Sequence, residues 1–285
     1  MMEVDYMIEI KNIYKSFKQK DGSDLTVLNN IDFTIKEGEF ISLLGPSGCG
    51  KSTLLNIVSG LEEANSGEII IDGSPIKGPG SDRGVVFQEA ALFPWLNVLE
   101  NVKFGLKNKG ISESEINETA LKYIKKVHLS KFKESYPHQL SGGMRQRAAI
   151  ARALAMNPKI LLMDEPFGAL DEQTRMMLHY ELQKIWLETR KTILFVTHNI
   201  REAVQLSDRI VVFGTQPGRI KEIFEVKAAR PRSKNKGYLL ELENRILNVL
   251  KEEIEKVMKE EMGDEYHFEE GSLPWDPDRD MGSHI

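Results

Sequence analysis

Apolar and polar side chains alternate over much of the first forty residues, and this pattern predicts strands. The alternation runs from Ile8 to Ile13 and returns at Ile31, Phe33 and Ile35. The polar segment KQKDGSD lies between the two stretches and predicts the turn that joins them. We therefore expect an antiparallel β subdomain at the N-terminal end.

The pattern then changes to short apolar runs that stop abruptly in polar residues. These runs are EFISLLG, KILLMDEP and TILFVTH. Such runs are typical of strands that are buried on both faces of a parallel sheet. Helical periodicity separates them, in a segment that ends near Gly60 and again in QTRMMLHYELQKIWLET. Alternating strands and helices predict an α/β fold with a mostly parallel core sheet, whose ligands bind beyond the carboxyl ends of the strands.

Two segments depart from this alternation. Residues from about 89 to 139 contain no buried-strand run, and we expect a helical insert there, in which Ser112 or Ser114 caps a helix. After about Phe224, the cluster RPRSKNKG predicts a linker, and LLELENRILNVLKEEIEKVMKEEM predicts an amphipathic helix. We place the main domain at residues 1–225 and a C-terminal region of linker, helix and acidic tail at residues 226–285.

The net charge of −5 is distributed unevenly along the chain. Residues 251–285 carry twelve acidic and four basic side chains, so they account for −8 of that charge. The acidic end is interpreted as a solvated tail, with regulation as the alternative. The remainder is only mildly basic and lacks the concentrated positive patch of a nucleic-acid binder, so no nucleic-acid partner is expected.

Three observations favour a cytoplasmic location. No stretch approaches the ~18 consecutive apolar residues of a membrane span. The first residues carry acidic side chains early and lack the apolar core of a signal peptide. Cys49 is the one cysteine, so no disulfide forms within the chain, which fits a reducing compartment.

Residues 45–52, GPSGCGKS, match the phosphate-binding pattern G-x-x-x-x-G-K-[ST] at every fixed position. Glycines let backbone N–H groups surround a phosphate, Lys51 reaches the β and γ phosphates, and the Ser52 hydroxyl binds Mg²⁺. A glycine-rich turn before a helix is the alternative. The expected nucleotide-binding residues of this loop are Gly45, Pro46, Ser47, Gly48, Cys49, Gly50, Lys51, Ser52 and Thr53. For Cys49 we also consider that alkylation blocks ATP binding; otherwise it is merely a small residue that the loop tolerates.

Polar residues at two strand ends complete a candidate catalytic site. Asp164 ends an apolar run and should lie near the Mg²⁺, while Glu165 beside it can act as the base for an attacking water. His198 follows another run and should emerge at the same sheet edge, where it can contact the γ-phosphate. A solvated acidic turn and a solvated histidine are the corresponding alternatives.

The segment LSGGMRQR, residues 140–147, lies between the phosphate loop and the acidic strand. In that order and spacing it resembles the signature of ABC-type ATPases, and the resemblance extends from Ile8 to about Ile223. It implies a P-loop NTPase fold, ATP and Mg²⁺ as ligands, and a second phosphate-binding helix end at Ser141, Gly142 and Gly143. The alternative is that Ser141 only caps a helix.

The resemblance also implies roles for residues outside these motifs. Gln88 looks like the Q-loop glutamine that contacts Mg²⁺ and water, Asp171 looks like the D-loop residue, and His198 looks like the switch histidine. An aromatic residue stacks on adenine in this family; Phe17 fits best by spacing and Tyr14 is second, unless the ring is a core residue. The family forms a head-to-tail homodimer, in which each nucleotide lies between the Lys51 loop of one copy and the Ser141 region of the other.

Two longer segments, residues 78–106 and 196–220, look like the ATPase subunits of nitrate, sulfonate and taurine importers. Pro94 and Trp95 lie where family members dock a helix of the integral membrane permease, although ordinary packing is the alternative. We therefore expect an ATP-hydrolysing subunit on the inner face of the cell membrane that powers uptake of a small anion or a related solute from an extracytoplasmic solute-binding protein. A soluble ABC ATPase that remodels a protein or cluster is the alternative function.

Overall fold

The computed structural model describes residues 6–168, 170–230, 232 and 235–262, which form two β-sheets with surrounding helices. The strands are β1 (Tyr6–Lys18), β2 (Asp24–Lys36), β3 (Phe40–Leu44), β4 (Ser66–Ile71), β5 (Ser74–Pro75), β6 (Arg83–Val86), β7 (Ile160–Asp164), β8 (Thr192–Thr197), β9 (Arg209–Gly214) and β10 (Arg219–Glu225). The α-helices are α1 (Lys51–Ser59), α2 (Val98–Lys103), α3 (Glu113–Lys126), α4 (Gly142–Ala155), α5 (Glu172–Thr189), α6 (Ile200–Leu206) and α7 (Lys236–Met262).

The first sheet is antiparallel, and its strand order is β2-β1-β4-β5. The alternating residues Ile8, Ile10 and Ile13 of β1 are almost fully buried, while intervening polar residues remain accessible. The predicted turn lies between Lys18 and Asp24, where the two long strands meet. The N-terminal antiparallel subdomain is thus present as the hydrophobic pattern predicted.

The second sheet has the strand order β10-β9-β3-β8-β7-β6 in the described part of the chain. All neighbouring strands run parallel except β10, which pairs with β9 in the antiparallel direction. In this register Leu44 pairs with Thr197, and Asp164 pairs with Val196. The carboxyl ends of β3, β7 and β8 therefore meet at one edge. This arrangement confirms the predicted α/β fold class with a mostly parallel core sheet.

Helices α2, α3 and α4 pack together beside this sheet. Ser112 caps α3 by accepting a hydrogen bond from the backbone N–H of Glu115, whose side chain accepts from the N–H of Ser112 in return. Of the two serines considered from the sequence, Ser112 is therefore the cap. Short 3-10 turns at Leu106–Lys109, Ser130–Phe132 and Pro137–Gln139 connect these helices.

Helix α7 packs against α6 and β9 through the apolar positions that the sequence pattern predicted. The segment before α7, interpreted as a linker, contains a buried cation: Arg232 is 2% exposed. Its guanidinium donates hydrogen bonds to the carbonyl groups of Val204 and Ser207 and thus caps the carboxyl end of α6. The first residues of the acidic end, 251–262, belong to α7, and residues 263–285 lie outside the described part of the chain. Among the described residues, no helix is long and apolar enough to cross a membrane.

Candidate functional site

The glycine-rich loop follows β3 and leads into α1, as the strand-loop-helix pattern predicted. Gly50 is the N-cap residue of α1 and has a φ of 92°, with no side-chain capping hydrogen bond. A Cβ atom there would lie 2.6 Å from Leu28 Cδ2, so both the backbone conformation and the available space require glycine. The first N–H groups of α1 therefore lack a side-chain cap, as is expected of a helix end that binds a phosphate.

Lys51 is 4% exposed, and its ammonium group lies against the phosphate loop. Nζ donates hydrogen bonds to the carbonyl oxygens of Gly45 and Pro46, at 2.8 and 2.7 Å. Both partners are neutral, so a phosphate anion would be a stronger partner for this cation. Cys49 in the same loop is buried, and burial raises the pKa of its thiol.

The Ser52 hydroxyl donates a hydrogen bond to Asp164 Oδ1 at 3.0 Å, which joins the first turn of α1 to the end of β7. Burial raises the pKa of Asp164, and the hydrogen bond from Ser52 opposes that effect. A hydroxyl and a carboxylate oxygen are the oxygen ligands that Mg²⁺ prefers, so these two residues fit the metal. When bound there, Mg²⁺ supplies neutralisation of phosphate charge.

Glu165 directly follows β7 and adopts a φ of 40°, which is rare for a residue with a Cβ. Its backbone N–H donates to the Val196 carbonyl at 3.0 Å, which fixes the turn against β8. Its Oε2 lies 3.1 Å from His198 Nδ1. This hydrogen bond lowers the pKa of Glu165 and raises that of His198. Glu165 is therefore ionised at neutral pH, as a base for an attacking water must be.

Gln88 is exposed on the segment that follows β6. Gln146 and Arg152 attach this segment to α4: the Gln146 side chain donates to the Phe87 carbonyl at 2.9 Å, and Arg152 donates to the Ala91 carbonyl at 2.8 Å. Gln146 lies within the quoted signature but was not predicted to be functional, because neither sequence spacing nor residue type shows which backbone group it reaches.

Ser141, Gly142 and Gly143 form the amino-terminal end of α4. Ser141 is the N-cap, and its hydroxyl accepts a hydrogen bond from the Met144 N–H at 3.3 Å. Asp171 caps α5 in the same way, and the bonds from Thr174 lower the pKa of its carboxyl. In the described part of the chain, no hydrogen bond or ion pair joins the Ser141 region to the phosphate loop. One copy thus holds the two candidate half-sites on separate elements.

The two candidate adenine-stacking residues differ in their surroundings. The Phe17 ring is 40% exposed, with the Lys15 ammonium 4.6 Å from its centroid. Tyr14 is half-buried, and its hydroxyl is hydrogen-bonded to Thr26 Oγ1 at 3.0 Å. Stacking needs an accessible ring face, so this difference favours Phe17.

Trp95 is 70% exposed and belongs to an aromatic patch that we define as Phe93, Trp95 and Phe104. The Phe93 ring centroid lies 5.5 Å from that of Trp95 and 4.4 Å from that of Phe104. The fully buried Asn101 side chain accepts a hydrogen bond from the Phe93 N–H and donates to the Phe93 and Leu96 carbonyls. The loop that holds Pro94 and Trp95 is therefore fixed in place by backbone contacts to α2.

Comparisons with known proteins agree on one family. A family model described as ABC transporter matches residues 28–168. An uncharacterized ABC transporter ATP-binding protein of Methanocaldococcus jannaschii is 52% identical over 252 residues, which cover 88% of this chain and 94% of that protein. The aliphatic sulfonates import ATP-binding protein SsuB of Bacillus cereus is 45% identical, covering 84% of this chain and 94% of the relative. The nitrate import ATP-binding protein NrtD of Synechocystis is 50% identical, covering 75% and 80%.

Solved structures show the same relationship. A dimeric ATP-binding cassette, MJ0796, in a post-hydrolysis state bound to ADP and Pi, matches with a TM-score of 0.71 at 37% identity. The match covers 78% of this chain and all of that one.

Proposed function

Because this chain belongs to the family of ABC transporter ATPases, we propose that it is the ATP-hydrolysing subunit of an importer for a small solute, an anion of the nitrate, sulfonate or taurine kind or a related compound. ATP binding and hydrolysis follow from the family membership itself. The import direction and the nitrate, sulfonate or taurine class of solute are our proposal. They are supported by the names of the sulfonate and nitrate import relatives.

Catalysis in this proposal uses groups that meet at the carboxyl ends of β3, β7 and β8. Lys51 and the N–H groups of α1 bind the phosphates, and Ser52 with Asp164 holds Mg²⁺, with Gln88 as a further ligand. Glu165 accepts the proton of the attacking water, and His198 holds that carboxylate in its ionised form. Phosphoryl transfer depends on such alignment and charge neutralisation more than on covalent chemistry.

A closed site needs a second copy of the chain. The helix end at Ser141 offers backbone N–H groups to an anion, yet it is not joined to the phosphate loop of its own copy in the described structure. In a head-to-tail homodimer, the Ser141 region of one copy would cover the nucleotide held by the other. Asp171 at the start of α5 would lie near the same interface.

The observation that carries the transport proposal is the exposed aromatic patch, Phe93, Trp95 and Phe104. Trp95 and Phe104 are exposed, and the half-buried Phe93 ring packs against both of them. Exposed large rings that lie together are typical of an interaction site. The patch follows Gln88 closely in the chain, so an integral membrane permease that contacts Trp95 would act next to the catalytic site. We therefore propose that the chain lies on the inner face of the membrane, in contact with the permease.

The docking role of the patch predicts that Trp95→Asp uncouples transport from ATP binding. We expect solute uptake by the reconstituted importer to fall at least about tenfold, because a charge replaces the ring at the centre of the interface. ATP affinity should stay unchanged. Tyr180→Asp is the matched control, since Tyr180 is 55% exposed on α5, outside the patch. Full uptake by the Trp95→Asp importer would remove the docking role.

The import function itself is tested by purifying the tagged chain from membranes of the cells that naturally produce it. We expect an integral membrane permease and an extracytoplasmic binding protein to copurify, and nitrate, taurine or an alkanesulfonate to stimulate ATP hydrolysis by the complex. Copurification of a soluble scaffold without a permease would favour the alternative of a remodelling ATPase.

A further inference from the structure

The turn that carries His198 is held by a buried carboxylate, Glu202, whose side chain is 8% exposed. The Thr197 hydroxyl donates a hydrogen bond of 2.6 Å to Glu202 Oε2 and accepts one from the Asn199 N–H at 3.0 Å. The Asn199 side chain in turn accepts from the Glu202 N–H at 3.1 Å. The residues on both sides of His198 are therefore bound to one network, in which Glu202 is the charged group.

The other carboxylate oxygen of Glu202 faces α5. Oε1 lies 3.4 Å from His179 Nε2 and 3.7 Å from Arg175 Nε. Both nitrogen atoms are buried and make no hydrogen bond in the structure, so Oε1 of Glu202 is a polar neighbour for both of them. Another nitrogen of the same guanidinium, Arg175 Nη1, donates a hydrogen bond of 2.7 Å to Glu172. The His179 ring also packs edge-on against the ring of Phe167, which lies two positions after Glu165 in the chain.

Arg175 extends this network to the residues before α5. Its guanidinium donates a hydrogen bond of 2.9 Å to the Leu170 carbonyl, and its backbone N–H donates to the Asp171 carbonyl at 2.9 Å. Gly143 lies against the same region, since a Cβ built there would be 2.8 Å from Leu170 Cδ2. The segment that precedes α5 is thus in contact with both the α4 helix end and the Glu202 network.

We propose that Glu202 is a positioning residue for His198, and that Arg175 connects the position of His198 to the Leu170–Asp171 segment. The inference rests on the proposed function, because it concerns the same ATPase site. A second copy of the chain that presses on Asp171 would shift Leu170 and Arg175, and the Glu202 carboxylate would pass that shift to the turn at His198. Closure of the dimer and alignment of Glu165 would in this way be linked within each copy.

The first test distinguishes the roles of the two carboxylate oxygens of Glu202. Glu202→Gln keeps an acceptor for Thr197 but places an amide NH₂ group opposite Arg175 and His179. We expect kcat for ATP hydrolysis to fall about tenfold, as is usual when a residue behind a catalytic group is lost, with ATP affinity unchanged. Thr197→Val removes the hydroxyl at nearly constant shape and should have a similar effect, whereas Thr197→Ser should restore turnover. Equal turnover of Thr197→Val and wild type would contradict the proposal.

The second test asks whether Glu202 acts through His198. In a His198→Ala background, Glu202→Gln should lower kcat no further, because residues that act as a unit are non-additive. Glu39→Gln is the control: Glu39 is a buried, ion-paired carboxylate at the opposite end of the central sheet, and its replacement should lower stability but not kcat.

The outcomes distinguish this inference from the proposed function. If His198→Ala is slow and Glu202→Gln turns over normally, or if the two losses add fully, the positioning role of Glu202 is wrong while the proposed function stands. If His198→Ala turns over as fast as wild type, the role of His198 in the proposed site is wrong and the inference fails with it. Arg175→Met completes the series: kcat should fall about as in Glu202→Gln, and an unchanged kcat would overturn the connection to Leu170.

Discussion

At the scale of single residues, Glu165 combines a rare backbone conformation with a defined partner. Its φ of 40° is unfavourable for a side chain with a Cβ, and such conformations persist where the surrounding structure enforces them. Here the backbone bond to Val196 and the contact with His198 do so. The hydrogen bond lowers the pKa of Glu165, so the carboxylate stays charged to lower pH than an ordinary glutamate.

The role of Glu165 predicts the behaviour of Glu165→Gln. We expect this variant to bind ATP with unchanged affinity and to hydrolyse it at least about a hundredfold more slowly, since a positioned base contributes that much or more. Equilibrium nucleotide binding and steady-state phosphate release measure the two quantities. Glu188→Gln is the control, because Glu188 is an exposed carboxylate at the far end of α5. Normal turnover of Glu165→Gln would exclude Glu165 as the base.

Cys49 carries a second prediction at this scale. From the sequence, two interpretations of Cys49 are open: alkylation of the thiol blocks ATP binding, or the residue is only a small side chain that the loop tolerates. In the structure the side chain is 1% exposed, and burial raises the pKa of its thiol. Because the thiolate is the reactive form, modification by N-ethylmaleimide at neutral pH should be at least about tenfold slower than for a free thiol, with or without ATP. Mass spectrometry of labelled protein gives the rate, and Cys49→Ala is the control. Fast labelling that ATP prevents would restore the first hypothesis.

At the scale of elements, α7 is joined to the central sheet by a buried ionic contact. Burial alone would raise the pKa of Glu253, but hydrogen bonds from Lys221, Thr215 and Lys256 outweigh it and hold the pKa at about 2. The Thr215 N–H donates to Glu253 Oε2 at 2.7 Å, and Lys221 lies 2.7 Å from Oε1. The apolar positions of the sequence predicted helix α7. The charge of Glu253 also holds this helix to the central sheet.

The contact of Glu253 predicts a pH-dependent stability. The folded-state pKa of about 2 lies below the ordinary value of about 4.3, so the contribution is present above pH ~4.3 and is lost as the pH falls toward 2. Glu253→Gln should lower the free energy of unfolding by about 3 kcal/mol at pH 7, and by progressively less below pH ~4. Urea unfolding at pH 7, 4 and 3 measures the difference.

Glu243→Gln is the control, because the pKa of Glu243 on the same helix is shifted in the opposite direction. Burial raises the pKa of Glu243, so removing its charge should not destabilise the protein at neutral pH. A difference between wild type and Glu253→Gln that stays constant from pH 7 to pH 3 would contradict the role given to Glu253.

At the scale of the whole molecule, the arrangement of helix ends favours assembly. The amino-terminal end of α1 lies at the carboxyl edge of the central sheet, while that of α4 begins the helix that packs on α2 and α3. Each end offers backbone N–H groups to an anion. In the proposed head-to-tail dimer, the two ends from different copies would reach one triphosphate. Among the described residues of one copy, no hydrogen bond or ion pair joins the Ser141 region to the phosphate loop.

This arrangement predicts an ATP-dependent dimer. Glu165→Gln with Mg²⁺ and ATP should elute at about twice the monomer mass of 32.4 kDa in size exclusion with light scattering. Adding Ser141→Asp should abolish the dimer, since the aspartate still caps α4 but repels the phosphates. Ser141→Asn caps the helix equally well without the charge and should retain more dimer. A strictly monomeric protein that turns over as fast as the assembled importer would refute the shared site.

The sequence by itself determined the fold class and indicated the candidate catalytic groups, because short stretches of neighbouring residues carry both signals. Apolar runs specify buried strands, glycines permit the conformation of the phosphate loop, and polar residues directly after parallel strands must emerge at the same sheet edge. The positions of Lys51, Asp164 and His198 follow from these rules without knowledge of any distant contact.

Tertiary structure alone decided which groups hold the elements around that site and at the C-terminal end together. Gln146 binds a carbonyl 59 positions away, Glu253 reaches Thr215 across 38 positions, and Arg232 is buried within a segment whose composition predicted a linker. No periodic pattern in the sequence predicts these contacts, because each depends on how separate elements pack. The surroundings of Glu202 have the same origin: its neighbours come from β8, α5 and α6, and only their packing brings the charges together.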